Sequence, residues 1–233
     1  MIKLLLFDID GTLVLTGGAG GRAMARAAAD IFDVEGGLGS ISMAGRTDAW
    51  IVSQMAARLG VAYTDQLMSR FHDAYISHLL REIHEPGPQK GVLPGVRDLL
   101  DAITTRTSAH LALLTGNVER GAQIKLEYFD LWRYFTSGAF GDTAHDRNSL
   151  LGVATARFRA RGGPAVQPSE VLVVGDTPLD VAVAVAGGAR SLAVATGNYD
   201  TTQLEACGAD VVLRDLSDTN AALEGMGLAP GPG

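Results

Sequence analysis

The chain has 233 residues, with 19 Lys+Arg against 26 Asp+Glu and a formal net charge of −7. Apolar residues make up 47% and charged residues 19%, which excludes a disordered chain, and the acidic balance argues against a nonspecific nucleic-acid or membrane-surface binder. The single cysteine, Cys207, excludes an internal disulfide and a cysteine-rich zinc site, in keeping with a reducing compartment.

The first ten residues hold one short apolar run that Asp8 and Asp10 interrupt. That is neither a signal peptide nor a membrane span, which needs about 20 apolar residues, so a cytoplasmic protein is expected. Strand character at 2–7 is followed by helical patterns at 19–32, 48–59 and 65–83. Thr47 or Asp48 caps the second helix and Thr64 or Asp65 the third. Strands at 110–114, 134–140, 171–174, 191–195 and 211–213 then alternate with helices at 96–106, 118–127, 149–161 and 179–186. Short apolar strands alternating with helices predict an α/β fold, a parallel sheet with helices on both faces. The all-helical stretch is flanked by glycines 17, 18, 20 and 21 and by the breaker-rich segment 85–91. We read residues 17–91 as a helical lobe inserted after the first strand, and residues 1–16 and 92–233 as the discontinuous core. Residues 229–233, rich in Pro and Gly, read as a frayed tail.

Chemistry concentrates at strand ends. Phe7-Asp8-Ile9-Asp10-Gly11-Thr12 places two carboxylates two residues apart, on one side of an extended chain. Such carboxylates either cap a turn or share a proton or a cation. Gly175-Asp176-Thr177-Pro178-Leu179-Asp180 ends another strand in an acid and starts a helix at Pro178, bringing Asp180 near Asp176. Four carboxylates at two strand ends, without His or Cys, suit a hard divalent cation, most plausibly Mg²⁺. Leu114-Thr115-Gly116-Asn117 runs from a strand into a helix, where backbone N–H groups and the Thr hydroxyl either cap the turn or hold an anion. Arg147, ahead of the next helix, is placed to neutralise a carboxylate and phosphate oxygens or to lie in solvent.

These three segments in this order resemble the haloacid dehalogenase-like hydrolases. The spacing is similar to the phosphoglycolate phosphatase-like branch, and the resemblance covers nearly the whole chain. It implies a Rossmann-like core with an α-helical cap domain, and a Mg²⁺-dependent phosphatase that cleaves a small phosphorylated metabolite through an aspartyl-phosphate. Asp8 resembles the nucleophile and Asp10 the general acid and base. Thr115, with Gly116 and Asn117, would hold the phosphoryl group. Asp176, Asp8 and the backbone carbonyl of Asp10 would bind the metal, assisted by Asp180. The family usually carries a lysine where this chain has Arg147, which takes its place. Lys90 is the outside alternative, and Lys125 is set aside because it lies about 12 Å along its helix. Arg46, within Gly45-Arg46-Thr47-Asp48, is the specificity candidate for a distal anionic group.

The alternative on the same scaffold is a phosphomutase of the β-phosphoglucomutase type. Asp10 argues against a dehalogenase, and length and insertion argue against a receiver domain. The histidines at 72, 78 and 84 do not stack on one helical face, so polar or surface roles are expected. His145 adjoins Arg147 as an outside candidate for the site. The glycines at 17–21 form no dinucleotide loop, and no G-x-x-x-x-G-K-[ST] segment exists. Neither the substrate nor an oligomeric state follows from the residues.

Overall fold

The computed structural model describes residues 1–34, 41–142 and 146–228, so His145 and the tail lie outside the described residues. In chain order the elements are β1 (Leu4–Phe7), β2 (Val14–Leu15), α1 (Ala19–Phe32), α2 (Asp48–Arg58), α3 (Asp65–Glu82), β3 (Gly91–Val92), α4 (Val96–Arg106) and β4 (His110–Leu114). They continue with α5 (Glu119–Tyr128), β5 (Gly138–Ala139), α6 (Leu150–Ala160), β6 (Val171–Gly175), α7 (Pro178–Gly187), β7 (Arg190–Val194), α8 (Thr201–Ala206), β8 (Val211–Leu213) and α9 (Thr219–Gly225).

Six strands form one parallel sheet in the order β5-β4-β1-β6-β7-β8. Strand β1 is buried along its whole length and its side chains alternate between two cores. Leu5 and Phe7 join Leu113, Val174 and the inner faces of α4, α5 and α9. Leu4 and Leu6 join Ala112, Val173 and residues of α6 and α7, among them Leu150, Phe158 and Val183. Each such side chain contributes roughly 1.5–3 kcal/mol by leaving water.

The register decides the site. Phe7 is level with Leu113 on one side and Val174 on the other. Strands β4 and β6 run one residue further, to Leu114 and Gly175, so the first residues beyond the three central strands, Asp8, Thr115 and Asp176, emerge at the carboxyl edge within one residue of each other. Open α/β sheets bind ligands at that edge.

Helices α1, α2 and α3 build their own apolar cluster, joined by Val118 and Ile124 of the sheet-side segment. The buried face of α1 is mostly alanine (Ala19, Ala23, Ala27, Ala28), which lets it pack closely on α3 through Phe71, Tyr75 and Leu79. Thr47 and Thr64 cap α2 and α3 by accepting from Trp50 N–H and Leu67 N–H. The structure adds an antiparallel pair that the sequence did not reveal, β2 with β3, which ties the two chain segments flanking these helices. Each strand is two residues long, too short to leave a periodic signal. Strand β5 is two residues, shorter than the predicted 134–140, because Trp132–Tyr134 coil into a 3₁₀ turn. No helix among the described residues is long and apolar enough to cross a membrane.

Candidate active site

A cavity of about 380 Å³ lies between the carboxyl edge of the sheet and helices α1 to α3. Asp8, Asp10, Thr115, Gly116, Asn117, Arg147, Asp176 and Arg46 all line it. Asp180 sits behind Arg147.

The turn after β1 is tight. Leu13 and Val14 N–H both donate to Ile9 O, at 2.9 and 3.1 Å, and Gly11 adopts φ +86°, a conformation that side chains disfavour. A Cβ at Gly11 would also lie 2.4 Å from Asp176 Oδ2. The turn delivers Thr12 Oγ1 to Asp176 Oδ1 as a donor at 3.1 Å. On the other side of β1, Thr115 N–H donates to Ala139 O, which ties the Thr115 turn to β5.

Asp8, Asp176 and Asp180 each offer a carboxylate oxygen within 4.8 Å of the others, and all three are buried. Arg147 is their counter-charge. It is 6% exposed and stands in the short 3₁₀ turn Arg147–Ser149, capped by Asp146, which accepts from Asn148 N–H. Its Nη2 bonds Asp180 Oδ1 and lies 3.3 Å from Asp8 Oδ1. Its Nη1 donates to Gly45 O at 2.8 Å, a carbonyl of the segment leading into α2. Asp180 Oδ2 accepts from Thr177 Oγ1 and Thr177 N–H at 2.7 and 3.0 Å, closing a capping box at the start of α7.

One guanidinium cannot balance three buried carboxylates. Burial is the larger cause that pushes the Asp8 carboxyl up to about 6; Arg147 opposes it, while Asp180 and Asp10 add to it. Burial, then Asp180 and Asp8, holds Asp176 well above the carboxylate range. Burial opposes the Arg147 charge, yet Asp180 and Asp8 hold it firmly protonated. Two buried polar atoms here have no hydrogen-bond partner among the described residues, Arg147 Nε and Asp8 Oδ1, the latter meeting Arg147 Nη2 only as an ion pair. An all-oxygen set with unbalanced negative charge and a carboxylate oxygen that accepts no hydrogen bond among the described residues fits a hard divalent cation such as Mg²⁺.

Residues 2–188 match the family profile described as haloacid dehalogenase-like hydrolase. The chain belongs to that family. This haloacid dehalogenase-like hydrolase is 28% identical over 221 residues to the phosphoglycolate phosphatase of Rhodospirillum rubrum, across 93% of this chain and 89% of that one. It is 29% identical over 203 residues to phosphoglycolate phosphatase 1 of Pseudomonas aeruginosa, across 84% and 70%. A solved hydrolase from Pseudomonas syringae shares its fold with a TM-score of 0.72, at 22% identity over 99% of this chain and 100% of that one.

The hydrolase also brings to the cavity residues to which the sequence assigned no role there. Lys125, set aside for its distance along α5, is only 4% exposed, and its Nζ lies 2.6 Å from both Asp10 Oδ2 and Asn117 Oδ1. The distance argument failed because helical side chains lean toward the helix N-terminus and a lysine stem spans more than one turn. Lys90 is elsewhere: its ammonium bonds Ile83 O and Glu85 O and covers the Tyr128 ring. The Arg46 guanidinium stacks 4.4 Å over Trp50 at the exposed wall of the cavity. Of the histidines, His78 pairs with Asp30 at 2.6 Å and His84 meets Tyr128 edge-on.

The start of α2 docks on the sheet edge through its backbone. Asp48 N–H donates to Gly116 O at 2.8 Å, and Ala49 N–H to Gly141 O at 3.3 Å. A Cβ at Gly116 would lie 2.0 Å from Arg46 O, so only glycine permits this approach. Asp48 Oδ2 accepts from Val118 N–H at 2.9 Å, capping α5 from another element. Burial is the main cause that pushes the Asp48 carboxyl up to about 7, against the Val118 bond and Lys125, with Asp10 and Asp142 adding to the rise. A raised acid contributes stability that is full below its unfolded value of 3.8 and is lost as pH rises through about 7. Asp48→Asn keeps an acceptor for Val118 and removes the titration. Urea unfolding should show the parent protein losing roughly 3 kcal/mol relative to the variant between about pH 4.5 and 8.5. Parallel stability profiles would refute the assignment.

Proposed function

We propose that this hydrolase is a Mg²⁺-dependent phosphatase of small phosphorylated metabolites, with residues 17–91 acting as a cap over the core of 1–16 and 92–233. The observation that carries the reading is the convergence of Asp8, Asp10, Thr115, Arg147 and Asp176 on one cavity, with Asp8 Oδ1 accepting no hydrogen bond among the described residues. Asp8 attacks phosphorus, and the bond to the leaving oxygen breaks as an aspartyl-phosphate forms. Asp10, on the same cavity, passes a proton to the leaving oxygen. It then takes a proton from water, which cleaves the acyl phosphate and restores Asp8. Thr115 and Arg147 hold the phosphoryl oxygens and balance their charge. Mg²⁺ held by Asp8, Asp176 and the backbone carbonyl of Asp10, with Asp180 behind them, would offset the like charges of carboxylates and phosphate.

The two curated relatives named phosphoglycolate phosphatase support a short anionic leaving group. Arg46 is the cavity-lining cation for its distal charge, since among the described residues its guanidinium stacks on the Trp50 ring and forms no ion pair with a carboxylate. The test is phosphate release from p-nitrophenyl phosphate and from a panel of metabolite monoesters, phosphoglycolate included, with Mg²⁺ and with EDTA. Release with Mg²⁺ that EDTA abolishes is expected. No release from any compound, with transfer between hydroxyls of a sugar phosphate instead, would replace this reading by a mutase.

A further inference from the structure

Asn117 joins three parts of the site. Its side chain is buried, and its Nδ2 donates to Thr115 Oγ1 and to Asp10 Oδ2, both at 2.8 Å. Its backbone N–H donates to Thr115 Oγ1 at 3.3 Å. Its Oδ1 accepts from Lys125 Nζ at 2.6 Å, and the same ammonium donates to Asp10 Oδ2 at 2.6 Å.

An amide side chain has a donor end and an acceptor end, and its partners alone decide which faces where. An ammonium only donates. Beside Asn117 it admits only the oxygen end, and this turns both Nδ2 hydrogens onto Thr115 and Asp10. A hydroxyl has one hydrogen and two lone pairs. Both lone pairs of Thr115 Oγ1 face donors from Asn117, so its hydrogen is left to point away from them. Thr115 lines the same cavity as Asp8. Gly20 of α1 leaves the room: a Cβ there would lie 3.2 Å from Lys125 Nζ.

We propose that Lys125 is a positioning residue whose ammonium orients Asn117, and through it sets Thr115 as a hydrogen donor to the phosphoryl group while holding the Asp10 carboxylate at the cavity. The proposal rests on the phosphatase reading and adds to it a residue more than 100 positions from Asp10 in the chain. Lys125→Met removes the donor at similar length, and Lys125→Arg restores donors. The readouts are kcat and KM for monoester hydrolysis, and the affinity for inorganic phosphate by calorimetry in Mg²⁺. Lys125→Met should lower kcat by about 10²-fold and weaken phosphate binding by about tenfold, the loss of oriented hydrogen bonds to a charged group. Lys125→Arg should recover most of both. Groups acting through one chain are non-additive. In phosphate affinity, which reads the arm through Asn117 and Thr115, Lys125→Met combined with Asn117→Ala should therefore be no worse than Asn117→Ala alone. Its kcat should fall further, because the direct Lys125–Asp10 bond is also lost.

Unchanged kcat and phosphate affinity in a folded Lys125→Met protein would overturn the proposal. So would a double variant whose losses of phosphate affinity multiply. If Lys125→Met does not fold, Lys125→Gln, which retains an amide donor, takes its place with the same expectations in weaker form. If the unsubstituted protein releases no phosphate from any monoester, the phosphatase reading fails on its own, and the phosphate affinities still decide the role of Lys125.

Discussion

Asp8→Asn should lower phosphate release by at least about 10⁴-fold while leaving the protein folded, the scale seen when a covalent nucleophile is removed. Residual turnover above about one per cent would mean that the nucleophile lies elsewhere. The same variant should be more stable than the parent in EDTA at about pH 8. Asp8 is buried beside Asp176 and Asp180, and burial, with the charges of Asp180 and Asp10, pushes its carboxyl up to about 6 against the pull of Arg147. The raised value means that its stabilising contribution is full below 3.8 and lost as pH rises through about 6. For the metal-free parent this amounts to about 2 kcal/mol of stability lost between about pH 4.5 and 8, and the asparagine variant should lack that loss. Mg²⁺ should raise the melting temperature of the parent more than that of the variant, since ligands that bind the native state stabilise it by mass action. Thermal melts in EDTA and in Mg²⁺ at both pH values check each sign. A variant less stable than the parent in EDTA would show that Asp8 is held by favourable contacts and not strained for a cation.

Arg147→Ala should cost about 3–5 kcal/mol in denaturant unfolding and most of the activity, because it leaves Asp8 and Asp180 as uncompensated buried charges. The loss should be larger at about pH 8 than at pH 5, where protonation relieves the carboxylates. Arg147 also holds Gly45 O of the segment entering α2, so its removal loosens the helical insertion over the cavity. Arg147→Lys keeps a charge but offers one ammonium in place of a planar fork that reaches a carboxylate pair and a carbonyl at once. It should recover part of the stability and more of the activity than alanine does. An alanine variant as stable as the parent would show that Arg147 is not the balancing charge. Equal behaviour of alanine and lysine variants would move the cationic role to another group.

Asp8, Asp10, Thr115 and Asp176 were legible because each follows an apolar strand and the strands are parallel. Once such strands align, the residues after them share an edge, and Phe7 level with Leu113 and Val174 realises that alignment. The caps at Thr47 and Thr64 were legible for the same local reason, a hydroxyl ahead of an amphipathic run. Helices α8 and α9 were missed although Asp200 and Asp218 cap them, since at six and seven residues they carry too few turns for a periodic signal.

Lys125 and Asp48 were not legible as site residues. Lys125 sits on a helix that reads as ordinary and amphipathic, and Asp48 reads only as a first-turn acid. Their partners are Asp10 and Val118, 115 and 70 residues away in the chain. The sequence by itself determined the parallel sheet, the inserted helices and the row of acids and hydroxyls at the strand ends, because hydrophobic periodicity and strand polarity are local properties. Only the tertiary structure decided which cation faces which carboxylate. That choice depends on the helical insertion lying over the sheet edge, where burial makes each unpaired charge costly enough to demand its partner.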